Sequence, residues 1–212
     1  MTHLIILFFV TFSAALMGVV PPGLINLTAA KTSATKGKLN GILFAVGAAI
    51  VVMIQAYLAV HISKYLFNNP FVIDVLLKIA VIVFSFFAIY FFVVARKRRN
   101  KKMKVVQVSK KSSFYKGMLL STVNVLPIPY FSGLHAAWNV SGWIQFKVLD
   151  VLIFVMAAGM GTFSMLYMYV VYFDKLESKT DRFSRHSDYI MSVLMLLLVI
   201  ITFIRIFYKF DE

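Results

Sequence analysis

The stretch Gly18-Val19-Val20-Pro21-Pro22-Gly23-Leu24-Ile25-Asn26 ends an otherwise unbroken apolar run that begins at Leu4. Two adjacent prolines remove two backbone donors and free carbonyl groups one turn earlier, and Gly23 weakens a helix further. In hydrocarbon such groups must find partners or line a polar cavity. The stretch therefore reads in two ways, as a kink that shapes packing or as a binding site. Beyond Pro22, residues 24–34 are helix-competent, and proline at a first helical position favours a short half-helix starting there. Its unpaired N–H groups and positive dipole end would point at the break.

Outward from this break the chain reads as a membrane protein. Of 212 residues, 61% are hydrophobic and 14% charged, and the apolar residues come in runs rather than stripes. The runs are Leu4 to Val20, Ile42 to Ile62, Phe71 to Ala95, Met118 to Trp138, Val148 to Phe173 and Tyr189 to Tyr208. Each is near or above the roughly 18–20 residues that a spanning helix requires. The expected fold is all-α and polytopic, with six transmembrane helices. The first run lacks a basic n-region and a small-residue cleavage site, so it is expected to be a retained helix. The absence of cysteine excludes thiol redox chemistry, thiolate metal sites and disulfides.

The net charge of +14 is unevenly spread. Ten of the 22 Lys and Arg lie between Arg96 and Lys116; Lys31, Lys36 and Lys38 follow the first helix; Lys175, Lys179, Arg182 and Arg185 lie between the fifth and sixth. These three loops share one side of a six-helix serpentine. The positive-inside rule puts them in the cytoplasm and both termini outside, in a cell (inner) membrane. The basic loop offers contact with anionic lipid. It has too few stacking aromatics for nucleic acid, which is not expected as a partner.

A second break lies at Asn124-Val-Leu-Pro127-Ile-Pro129. Pro22 precedes Gly37 by fifteen residues, Pro127 precedes Gly142 by fifteen, and the two prolines are 105 apart. The expected organisation is a three-helix repeat at 1–95, a basic cytoplasmic linker at 96–113 and a second three-helix repeat at 114–212. Three is odd, so the halves would be inverted in the membrane, a pattern that points to a secondary transporter with its site between the repeats. Gly47 with Ala45, Ala48 and Ala49, and later Gly159 and Gly161, suit close helix packing. Gln55, in mid-membrane, is read as an interhelical hydrogen bond or a ligand. Asp74 and Lys78 are spaced to pair on one helix face. Trp138 and Trp143 suit an interface. His135 is either a proton relay or a satisfied helix-end histidine.

At these same residues the sequence resembles the lysine exporter (LysE/RhtB) family of amino-acid translocators. Pro22-Gly23, Gly37 and Gly41 match the motif and glycine spacing of its first half, and Phe114, Gly117 and Asn124 echo the start of its second. Leu24 and Ile25 stand where that family has its second motif proline and a polar residue, and Val125 replaces a proline that is found here at Pro127. The resemblance implies export of amino acids or similar small metabolites driven by the proton motive force, by a homodimer, with no cofactor. In the resulting hypothesis the breaks bind a substrate carboxylate through backbone N–H groups, with Pro22, Gly23, Asn26, Asn124, Pro127 and Pro129 forming the site. Asp74, His135 and Asp150 are the candidates for proton coupling. Neither an enzyme nor a metal site is expected, because the few His and acidic residues lie mostly in loops. The rival reading is a non-transporting scaffold or accessory subunit, which would not need two matched breaks.

Overall fold

The computed structural model of the protein describes residues 2–21, 23–97, 113–140, 142 and 144–177, and from the C-terminal stretch residues 189, 192–193, 196–197 and 199–204. Pro22, Trp143 and most of the basic linker lie outside the described residues. Seven helices follow one another: α1 (Thr2–Val19), α2 (Leu24–Lys36), α3 (Lys38–Asn68), α4 (Pro70–Lys97), α5 (Ser113–Val123), α6 (Pro127–Val140) and α7 (Val148–Glu177). Residues 199–204 are also helical, and no strand occurs among the described residues.

Three of these helices, α1, α3 and α7, are long and apolar enough to cross a membrane. The run expected from Met118 to Trp138 is instead two helices, α5 and α6, bent by 66° and together a fourth candidate span. Proline explains the bend. Pro127 and Pro129 have no N–H to continue the α5 ladder, yet both fit the first turn of a new helix, where no intrahelical donor is required.

The chain runs twice through the same order of local structures. Helix α1, a proline-containing break, α2, Gly37 and the 31-residue α3 come first. Helix α5, a second such break, α6, Gly142 and the 30-residue α7 follow. Gly37 and Gly142 are the two glycines with left-handed backbone among the described residues, at φ +90° and +73°. A side chain would be strained at either position. At Gly37 the turn ends α2, with its N–H bonded to Ser33 O at 2.9 Å.

Two compact units result, and each draws on both halves of the chain. The larger gathers α1, α2, α3 and α5 to α7, and the smaller contains α4 and the C-terminal helical residues, joined by the Ser192 hydroxyl donating to Ala88 O at 2.9 Å.

Within the larger unit most of the small residues of α3 face inward, beside Phe44, Val51, Val52 and Val60. Along α3, Gly41, Ala45, Gly47, Ala48, Ala56 and Ala59 are buried, whereas Leu43, Ile50, Ile54, Leu58 and Ile62 are exposed. In lipid both faces can be apolar, so close approach selects small residues. A Cβ on Gly47 would collide with the Phe114 carbonyl, and one on Gly117 with the Phe44 carbonyl, so α3 and α5 cross backbone to backbone. Gly161 likewise lies against Phe12 O of α1, and Gly159 against Met53 of α3.

Hydrogen bonds fix the direction of these contacts. Ser113 reaches Asn40 Oδ1 (3.3 Å), Ser121 reaches Ala48 O (3.2 Å), Ser132 reaches Ala59 O (3.2 Å), and Ser63 bonds His135 Nδ1 (3.0 Å). Both partners advance together, so α3 runs parallel to α5–α6. At the end where these helices begin, Lys36 and Lys116 are close enough to repel each other.

Replacing Gly47 by Val should lower the melting temperature of the detergent-solubilised protein, at a cost of about 1–3 kcal/mol for overpacking. Gly133→Ala, where nothing lies within 4 Å of the added carbon, should leave it unchanged; equal losses would contradict the α3–α5 crossing.

Candidate functional site

At the first break the freed carbonyl groups are bonded from within. Asn26 is buried on α2, and its Nδ2 donates to Val19 O at 2.6 Å and to Pro21 O at 2.9 Å. The Val20 carbonyl between them accepts from the Tyr169 hydroxyl of α7 at 2.6 Å. Tyr130 of α6 donates to Ala14 O at 2.8 Å, with its ring against Gly18. The carbonyl groups of Val19, Val20 and Pro21 at the α1 end of the break are therefore all bonded. The α2 end differs. Among the described residues its first bond is Leu27 N to Gly23 O at 3.1 Å, and no side chain caps the N–H groups before it. Gly23 is exposed, and nothing lies within 4 Å of where its Cβ would be. This is an accessible cluster of donors at the positive end of a helix.

The second break has the opposite character. Pro127 and Pro129 carry no N–H, and the remaining donors of the first α6 turn are engaged, Ile128 N with Val125 O (3.1 Å) and Tyr130 N with Leu126 O (3.3 Å). The expected binding of a carboxylate by backbone N–H thus finds its groups at the first break and not at the second, because proline removes half the donors of that turn. On the α5 side, Gln55 of α3 donates through Nε2 to Ser121 O at 3.1 Å and to Asn124 O at 2.8 Å. The Asn124 side chain is half-buried and makes no hydrogen bond to another described residue.

Helices α2 and α5 pack on each other. They run in opposite directions, since the C-terminus of α2 and the N-terminus of α5 share the end marked by Lys36 and Lys116. The N-terminus of α2 and the C-terminus of α5 accordingly lie at the other, common end of this pair. Val19, Ile25 and Leu120, beside the two breaks, pack against one apolar cluster around Ala29, Phe44 and Leu166.

The model of the LysE type translocator family matches residues 16–204, a segment that contains both breaks and both left-handed glycines. The chain belongs to that family. It is a multi-pass membrane translocator. No curated protein and no solved structure matches it significantly.

Of the residues expected to form the translocator's site, Gly23 borders the open donor cluster, Asn124 presents a carboxamide that no described residue engages, and Pro127 and Pro129 set the second break. Both amide protons of Asn26 are engaged by backbone, so it holds the break. Among the proton-coupling candidates, Asp74 lies in α4 and its side chain is outside the described residues. His135 and Asp150 occur together in the larger unit, at the end opposite Lys36 and Lys116. The His135 ring is fully buried against Phe146 and Phe154, with Nδ1 on Ser63 and Nε2 without a partner among the described residues. Asp150 accepts Gln145 N–H at 2.9 Å and stands 3.7 Å from His3 Nε2. His3 and Trp138 line a neighbouring cavity of about 370 Å³. Sequence reasoning missed Tyr130 and Tyr169, because a tyrosine within an apolar run carries no signal of which carbonyl it will reach.

Asn26→Leu removes the donors of two carbonyl groups in a region that offers no substitute, at about 1–3 kcal/mol for each. It should lower the melting temperature markedly, whereas Asn124→Leu should leave it unchanged. A stable Asn26→Leu protein would mean that these carbonyl groups find other partners.

Proposed function

We propose that the protein is a secondary exporter of amino acids or similar small zwitterions. It would act by alternating access between two inverted three-helix repeats, 1–95 and 114–212, joined by the basic linker 96–113. The observation that carries this reading is the pair of helix breaks: an uncapped, exposed helix N-terminus beside Gly23 at the first, and a helix C-terminus rich in carbonyl groups at the second. A carboxylate suits the former and an ammonium group the latter. Support for the repeat comes from the duplicated order of helix, break, helix, left-handed glycine and long helix, and from the smaller unit, which gathers the third helix of each half. An odd number of crossings per half inverts the second half.

Substrate would bind through the N–H groups of the first α2 turn, with Asn124 adding a side-chain hydrogen bond. Pro22, Pro127 and Pro129 would set the backbone that makes room for it. His135 and Asp150 would carry the coupled proton at the end away from the basic residues, since His135 has one ring nitrogen uncommitted and Asp150 is the described acidic group nearest to it; Asp74 is the third candidate. A homodimer in the cytoplasmic membrane is the expected assembly.

The test is efflux from cells expressing the protein and loaded with labelled dipeptides that hydrolyse to single amino acids. At least one amino acid should leave faster than from cells without the protein, and His135→Asn should abolish stimulation by an imposed pH gradient while substrate exchange persists. Unchanged efflux for every amino acid, with the protein shown in the membrane, would overturn the reading. Orientation is checked separately: a periplasmic reporter fused after Glu212 should be active, and one inserted in 98–112 inactive.

A further inference from the structure

Gln55 is 5% exposed, and its carboxamide is used on one side only. Nε2 holds the carbonyl groups of Ser121 and Asn124, while Oε1 is buried and makes no hydrogen bond to a described residue. Turning the amide over cannot correct this, because it would set Oε1 against two carbonyl oxygens, so the network fixes its orientation. A buried acceptor left unpaired is costly, and native proteins seldom leave one without a reason.

The break that Nε2 holds is one-sided as well. At the break lie Ser121 O and Asn124 O, both at the C-terminal, negative end of α5. Prolines 127 and 129 have removed donors that could have balanced them, and Ile128 and Tyr130 direct theirs to Val125 O and Leu126 O. Ser121 and Ser132 both send their hydroxyl protons to α3 carbonyl groups. No Lys or Arg is buried among the described residues. This break therefore collects acceptors and lacks a cation. The first break differs at the corresponding carbonyl: Val19 O, 105 residues before Asn124 O, is held by Asn26 from within the adjacent helix, and no buried side-chain acceptor is left unpaired there among the described residues.

We propose that Gln55 Oε1 receives the ammonium group of the exported molecule, so that the second break is the cation subsite opposite the carboxylate-binding first turn of α2. This deepens the export reading above and rests on it. Gln55 then has two separable roles. Its amide protons hold the break closed, and its oxygen selects substrates that carry a charged amine. The competing reading is that Oε1 is served by an internal water and Gln55 acts on the backbone alone.

The experiment uses the full chain in proteoliposomes loaded with an equimolar mixture of the twenty protein amino acids, with release read by mass spectrometry. The amino acid released fastest is then set against its des-amino analogue, which keeps the carboxylate and side chain but has hydrogen in place of the ammonium group, as an internal competitor. Wild-type protein should prefer the amino acid roughly tenfold or more, as expected for a charge-assisted hydrogen bond. Gln55→Met should reduce that preference to near unity. Gln55→Lys, which can still donate to Ser121 O and Asn124 O but accepts nothing, should do the same, should the Met variant not fold. Equal loss for both compounds in the variants, or an unchanged preference, would assign Gln55 to the backbone alone and overturn this proposal while export stands. A wild-type protein that does not distinguish the two compounds would overturn it without any variant. Failure to release any of the twenty would overturn the export reading and this one with it.

Discussion

Every carbonyl group freed at a helix break must be bonded inside the protein, because hydrocarbon supplies no donor. Two carboxamides answer that requirement here, and each holds two carbonyl groups: Asn26 holds Val19 O and Pro21 O, and Gln55 holds Ser121 O and Asn124 O. The solutions differ in reach. Asn26 belongs to the helix that the break begins, so the first break is largely self-contained. Gln55 belongs to α3, so the second break keeps its shape only while α3 and α5 stay together. A rearrangement that separates them exposes those carbonyl groups, which ties the backbone at the second break to the packing of the unit.

That packing depends on backbone approach. Gly47 and Gly117 let α3 and α5 meet carbonyl to Cα, and the same proximity lets Ser121 and Ser132 reach carbonyl groups on α3. A larger side chain at either glycine would separate the helices and withdraw Gln55 from the break. Small residues and polar clamps are thus two parts of one device: the former set the distance at which the latter can bond. Glycines 159 and 161 serve α7 similarly, bringing it onto α3 and α1, where the Tyr169 hydroxyl completes the first break.

The breaks differ in charge character because proline acts differently in each. The described part of the first break ends at an exposed Gly23, and α2 begins with uncapped N–H groups. At the second, prolines 127 and 129 occupy the first turn of α6 itself, and the carbonyl groups at the end of α5 dominate. Antiparallel packing of α2 on α5 brings the donor end of one helix to the acceptor end of the other.

Much of this was legible in the sequence. The apolar runs identify a membrane protein because spanning a bilayer takes a fixed length of apolar chain. Pro-Pro-Gly and Asn-Val-Leu-Pro-Ile-Pro locate both breaks because proline removes a donor wherever it sits, and the common spacing to Gly37 and Gly142 singled out the two left-handed turns. What the sequence could not determine is which side chain bonds which carbonyl group. Asn26 and Gln55 are both carboxamides in apolar surroundings, and only the fold shows Asn26 turned back on its own break and Gln55 reaching a break 66 and 69 residues away, with its oxygen left over. Proline chemistry is local, so the sequence determined where the helices break; hydrogen bonding between distant residues requires their helices to be packed, so only the tertiary structure decided how each break is satisfied.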